Sequence, residues 1–312
     1  MTEAAEPSSR DRSTRGSRRD LGLASLGAFC FGCTVLFSRL VARDQLAPSV
    51  ALGIRFGVAG LLLVGLLAAM HRPLLPPPGD RLRALALGLF VYAIESTFFY
   101  MGLERGTAAA VALIFYAYPA LIALVETVTG AIRLRARTVV ALVLSISGSA
   151  VVAIGGGKVA ITPTGVLLVC GSIVMFSTYA LLSDRVLPRT DSLTAAAWTA
   201  IGASMGVTLF GAASGQLGIP SGGALAALCA NGVATAAAFT LFFMVLDRIG
   251  PTRTGICMAL EAVTGILLAA IFLGESVRPI VAIGGVAVLA GAVLAALVSP
   301  APVEALERSS PP

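Results

Sequence analysis

The sequence predicts an all-α membrane protein of ten transmembrane helices, arranged as two inverted five-helix repeats around a central cavity. Three observations carry this prediction. Apolar residues make up 57% of the 312 and charged ones only 12%. They gather in runs of about twenty residues, long enough at ~1.5 Å per residue to cross ~30 Å of hydrocarbon. One hairpin design also occurs twice. The run Phe99-Tyr100-Met101-Gly102-Leu103-Glu104-Arg105-Gly106, an apolar segment and Thr129-Gly130 are matched by Phe242-Phe243-Met244-Val245-Leu246-Asp247-Arg248-Ile249-Gly250, an apolar segment and Leu273-Gly274-Glu275. The spacing from Gly106 to Gly130 equals that from Gly250 to Gly274, and such duplication points to a transporter built from internal repeats. Basic residues, finally, crowd onto one side of the expected membrane.

Residues 1–20 are rich in serine, arginine and acid without an apolar face, and form a disordered tail. No short apolar core with a small-residue cleavage site precedes the first full-length span, so no secretory signal is read there. The first repeat (21–154) holds spans at 21–41, 49–70, 84–103, 107–129 and 138–154. The second (163–298) holds spans at 163–182, 193–213, 223–246, 252–273 and 280–298. Residues 155–162, with Gly155-Gly156-Gly157 and Lys158, form an external linker, and 299–312 a second cytoplasmic tail. The Pro76-Pro77-Pro78-Gly79-Asp80 run marks a loop.

With residues 1–20 cytoplasmic, sixteen basic residues lie on that side, in the tails and in connections such as Arg72, Arg81 and Arg83 or Arg133, Arg135 and Arg137. Only Arg43, Arg105, Lys158 and Arg278 lie opposite. This asymmetry places both termini in the cytoplasm and the protein, multi-pass, in the cytoplasmic membrane. Five spans per repeat then turn the second repeat upside down. The formal charge of +6 follows from this topology and calls for no nucleic-acid partner.

Enzyme chemistry finds no support. The single histidine, His71, sits at a membrane boundary, no phosphate-binding G-x-x-x-x-G-K-[ST] run occurs, and no cofactor or metal site is implied. Cys30 and Cys33 form a C-x-x-C inside the first span, where without a second pair or a nearby histidine they read as packing residues.

Ionisable side chains at bilayer depth cost on the order of 3 kcal/mol, so they face a cavity or a partner. Glu261 falls near the midplane of the ninth span, Asn231 at a similar level in the eighth, and Tyr116, Tyr118 and Pro119 in the middle of the fourth. Tyrosines two residues apart on a helix point in different directions, so one of the pair is expected to face a solute. Pro119 removes a backbone bond in mid-helix and is the candidate hinge. Arg55 and Glu95 lie at one depth on neighbouring spans and are expected to pair, either as a structural lock or as groups for a substrate carboxylate, an amine or a proton. The substrate-binding candidates are therefore Glu261, Asn231, Tyr116, Tyr118, Glu95 and Arg55. Glu126 is expected to reach interfacial water or Arg133, Tyr100 to anchor at the interface, Arg39 to snorkel, and Glu275 with Arg278 to form a cap or gate.

Ile54-Arg55-Phe56, Tyr118-Pro119, Leu260-Glu261 and Leu273-Gly274-Glu275, taken in order with the duplication, resemble the drug/metabolite transporter superfamily, in its ten-helix EamA-type form. The resemblance runs from Leu21 to Val298. Two departures stand out: Gly130-Ala131 where the family usually has Gly-Glu, and Ala262 after Glu261 where a proline is common. The resemblance implies alternating access and small organic solutes as cargo, often exported. The resulting expectation is a secondary transporter of a small metabolite, an amino acid or related solute, with the lipid bilayer as its surroundings and a proton as a candidate coupling ion. The alternative is a membrane-embedded binding or scaffold protein that moves nothing.

Overall fold

The computed structural model describes residues 18–41, 46–155, 160–187, 189–216, 218–274 and 278–297. Of the tail expected at 1–20, residues 18–20 belong instead to the first helix, where Asp20 accepts from Arg248. Its remainder, residues 299–312, linker residues 156–159, Glu275 and the Arg39 side chain lie outside the described residues, whereas Arg278 is exposed.

The first two spans are α1 (Arg18–Val41) and α2 (Pro48–Ala69). The third joins α3 (Arg81–Ala86), a π-helical segment (Leu87–Tyr92) and α4 (Ala93–Leu103) end to end. The fourth is divided into α5 (Ala108–Phe115) and α6 (Tyr118–Val128), and the fifth is α7 (Ala136–Gly155). The second repeat follows with α8 (Pro163–Val186), α9 (Ser192–Ala213) and α10 (Gly222–Ile249). Its ninth span is again divided, into α11 (Pro251–Met258) and α12 (Leu260–Leu273), before α13 (Ile280–Leu297). Nine of these stretches are long and apolar enough to cross a bilayer, and the tenth, Ile280–Ala295, is apolar but shorter. With an even number of spans, Arg18 and Leu297 lie at one face, here called the terminal face.

The helices begin where local chemistry allows. Side chains of Thr107, Thr162, Asp191 and Ser221 accept from backbone N–H groups at the starts of α5, α8, α9 and α10, satisfying donors that a helix leaves open. The repeated glycines at the far ends of the hairpins have a common cause. Gly130 and Gly274 terminate α6 and α12 at φ 72° and 68°, a backbone region that side chains disfavour. Gly250 is likewise at φ 76°, but its counterpart Gly106 is not. There the reason is space, since a Cβ would stand 2.6 Å from the Ile161 side chain.

Packing follows a pseudo-two-fold relation between the repeats. α2 lies along α9 and α7 along α13, contacts that map onto themselves when the repeats are exchanged. α1 packs on α10 and α12, and α8 makes the corresponding contacts with α4, α5 and α6. In lipid these contacts gain little from the hydrophobic effect and depend on close approach of backbones past small residues. Gly53, Gly57 and Gly60 accordingly face Thr208, Ser204 and Ile201 of α9, and Ser204 Oγ donates to the Gly53 carbonyl at 2.9 Å. At the α7–α13 crossing the fit is reciprocal: a Cβ on Gly148 would meet the Gly284 carbonyl at 2.7 Å, and one on Gly284 the Gly148 carbonyl at 2.7 Å.

A leucine at position 148 therefore has no room without moving backbone. Gly148→Leu is expected to destabilise by about 1–3 kcal/mol and lower the thermal unfolding midpoint of the purified protein. Val143→Leu, on the exposed side of the same helix, is expected to leave the midpoint unchanged.

Candidate functional site in the central cavity

A cavity of about 670 Å³ lies between the two repeats, and Arg55, Glu95, Tyr116, Tyr118, Asn231 and Glu261 all line it. It extends past Leu46 and Pro48, at the α1–α2 connection, to Leu103 and the exposed Glu104 at the end of α4. These positions lie at the face opposite the terminal face. Toward the terminal face the floor is aromatic. Tyr118 and Phe176 meet edge to face at 4.7 Å, Phe176 and Phe242 lie 6.1 Å apart, and Tyr179 stacks on Phe242 at 5.9 Å behind them.

The expected Arg55–Glu95 pair does not form. Arg55 Nε instead donates to Thr235 Oγ1 on α10 at 2.7 Å, with the guanidinium carbon 5.1 Å from the centre of the Phe56 ring. The two Glu95 oxygens accept from Ser96 Oγ on its own helix and Ser172 Oγ on α8, each at 2.9 Å. Both charges line the cavity, so each takes a hydroxyl from the wall beside it rather than closing across the opening. Sequence spacing could not indicate that hydroxyls from the other repeat, Thr235 and Ser172, take these places.

Glu261 lies in the first turn of α12, where the helix dipole favours a carboxylate. Its carboxylate has no hydrogen-bond partner among the described residues and lies in the field of Arg55, of opposite sign, and of Glu95, of like sign. Asn231 Nδ2 donates to Ser38 Oγ at 3.1 Å, and the Tyr100 hydroxyl donates to the same oxygen at 2.9 Å. Tyr100, expected as an interfacial anchor, is thus part of the cavity wall. Tyr92 is a member of the site that sequence reasoning missed. It ends the π-helical segment, lines the cavity, and has its hydroxyl in the fields of Glu95, Arg55 and Glu261. Single-turn π distortions cluster at such sites, but nothing in the residue pattern of Leu87–Tyr92 announces one.

The divided spans correct two further expectations. Tyr116 and Tyr118 both line the cavity, because the helix turns between them: Ala117 N–H bonds to Ile114 O and Ala120 N–H to Ala117 O, a 3₁₀-like tightening. Pro119 is consequently not in mid-helix but in the first turn of α6, where its missing N–H leaves no helical bond unmade. The break precedes it because its ring would clash with the carbonyl four residues earlier. In the second repeat Ala262, not a proline, follows Glu261, yet the helix divides at the corresponding place, with Ala262 N–H bonded to Ala259 O.

The two divided spans also meet below the floor. The Tyr118 hydroxyl donates to the Gly255 carbonyl of α11 at 3.0 Å. Glu126, expected at interfacial water, is instead buried, and its Oε2 accepts from the Thr252 hydroxyl and, at 3.0 Å, from the Thr252 backbone N–H. That N–H belongs to the first turn of α11, so a carboxylate on α6 caps the helix of the opposite repeat.

Comparison with known families bears on this arrangement directly. The family described as the EamA-like transporter family matches residues 20–154 and again residues 163–297. The chain belongs to this family. Each match contains one divided span, and membership makes this EamA-type protein a membrane transporter rather than an enzyme. A solved structure described as "Crystal structure of protein" is similar in fold, with a TM-score of 0.75 at 19% identity, over 94% of this chain and 100% of its own. No curated protein matches the sequence.

The contacts below the floor of the transporter differ in strength. Glu126→Ala, which leaves the start of α11 and the Thr252 hydroxyl without their acceptor, is expected to cost about 1–3 kcal/mol, and Tyr118→Phe only about 0.5–1.5 kcal/mol. Thermal unfolding of the two purified variants checks the order, and a larger effect for Tyr118→Phe would contradict it.

Proposed function

We propose that this chain is a secondary transporter that carries a small organic metabolite, an amino acid or a related amphipathic solute, across the cytoplasmic membrane by alternating access. The observation that carries the reading is the convergence of Arg55, Glu95, Asn231, Glu261, Tyr116 and Tyr118, drawn from both repeats, on one cavity that reaches a single face. Its volume suits a small solute, since ligand sites usually measure about 300–1,000 Å³. Arg55 suits a carboxylate, Glu261 and Glu95 suit an ammonium group, and the aromatic floor suits an apolar side chain. With the terminal face cytoplasmic, as the basic residues favour, the cavity opens outward, and the α6–α11 contacts form the barrier that must part for inward opening. Pro119 and the turn at Tyr116–Ala117 are the hinge about which α6 moves. Export is the direction that the family resemblance favours.

Proton coupling is the mode that Glu261 supports best. A carboxylate inside a membrane cavity, with no hydrogen-bond partner among the described residues, can take up a proton on one side and release it on the other. Its rival is facilitated diffusion.

In proteoliposomes loaded with each of the twenty common amino acids, counterflow of at least one is expected for the intact protein. Absence of counterflow across such a panel and a matching set of amines would favour a binding or scaffold role. A pH gradient is expected to drive accumulation in the parent protein but not in Glu261→Gln. No pH-driven accumulation in the parent protein, with uptake rates unaltered across pH in Glu261→Gln and Glu95→Gln, would leave facilitated diffusion as the mode.

A further inference from the structure

The guanidinium of Arg55 is held from one side only. Among the described residues its Nε has a single acceptor, Thr235 Oγ1 at 2.7 Å, and its two terminal nitrogens have none. Among the described residues no carboxylate lies within 4.0 Å of them, and Glu95 is taken by Ser96 and Ser172. Thr235 is itself fixed. It is fully buried, and its one hydroxyl proton is committed to the Asn231 carbonyl at 2.8 Å, so toward Arg55 it can only accept. Gly232, three residues earlier, allows this reach. A Cβ there would meet the Arg55 carbonyl at 3.0 Å and the Val58 side chain at 2.6 Å, so α10 lies against α2 at this level.

A guanidinium can bind a carboxylate through Nε and one terminal nitrogen, or end-on through both terminal nitrogens. Thr235 occupies the first edge. We propose that Thr235 is a positioning residue for solute recognition, turning Arg55 so that its two terminal nitrogens receive a carboxylate of the solute end-on. This rests on the reading of the cavity as a solute site, and it assigns to a neutral hydroxyl on the second repeat the orientation of a charged group on the first. A valine at 235 keeps the shape but cannot accept. Arg55 then loses its fixed edge and turns Nε into the cavity, where a carboxylate no longer finds one preferred geometry.

The test uses the full chain in lipid nanodiscs and an arginine-directed reagent, phenylglyoxal, with modification of the Arg55 peptide followed by mass spectrometry. Benzoate and its neutral analogue benzamide are the probes, and the exposed Arg278 is the internal control. In the parent protein benzoate is expected to slow Arg55 modification about tenfold and benzamide less than about twofold, the difference expected for a charge-assisted pair. Thr235→Val is expected to abolish that difference and Thr235→Ser to restore it, with Thr235→Ala replacing the valine variant if the latter does not fold. Equal protection by the two probes in the parent protein, or full benzoate protection in Thr235→Val, would overturn the proposal. Intact benzoate selectivity without counterflow of any solute would overturn the transport reading instead and leave the role of Thr235 standing.

Discussion

Lipid supplies no hydrogen bonds, and this constraint governs where the backbone of this transporter may be irregular. Every peptide group at bilayer depth must be satisfied within its helix unless protein or a wet cavity takes its place. The turn at Tyr116–Ala117, the turn at Ala259 and the π-helical segment ending at Tyr92 all obey it, since each lies beside the cavity. The irregularities are therefore concentrated where a cavity already interrupts the packed interior. Elsewhere the spans run unbroken and meet through glycine and small hydroxyl residues.

The same economy explains how charge is tolerated. A buried arginine costs on the order of 3 kcal/mol at bilayer depth by the lower scales, and one hydrogen bond to a charged group returns about 1.5–3 kcal/mol. Arg55, with a single hydroxyl partner, thus roughly breaks even only because its remaining edge faces a cavity rather than acyl chains. Glu95 reaches a similar balance with two serines. In each case a partner comes from the second repeat, Thr235 for Arg55 and Ser172 for Glu95, so the polar contacts of the site also join the two halves. The pseudo-symmetry of the fold is not carried into the site. The first repeat contributes Arg55 and Glu95, and the second Asn231 and Glu261.

Closure at the terminal face draws on a different set of forces from the cavity walls. Its bulk is aromatic, with Tyr92, Phe176, Tyr179 and Phe242 in edge and stacked contacts that are individually weak and tolerant of sliding. Its polar part is narrow: the Tyr118–Gly255 bond and the Glu126 cap on α11. The polar contacts of this face thus lie between the two divided spans, while α2 packs on α9 and α7 on α13 through their glycines.

The solvent, the ten spans and the duplication were legible in the residues alone, as was an expected depth for each polar side chain. Those properties depend on apolar run length and on rise per residue, which are local. Run length and rise set Glu261, Asn231, Tyr116 and Tyr118 near mid-membrane and Arg55 with Glu95 at a second shared depth, and all six line one space. What each of them touches depends on how distant helices pack. Depth is a single coordinate, and it does not reveal rotation about the helix axis or which hydroxyl of a distant helix stands nearest. That is why Arg55 bonds to Thr235 rather than Glu95, why Glu126 caps α11 rather than reaching water, and why Tyr92, Ser38, Ser172 and Thr235 entered the site without a sequence signal. The division of the ninth span was equally out of reach. Where Pro119 gives the fourth span a local cause for its turn, the residues around Ala259 offer none.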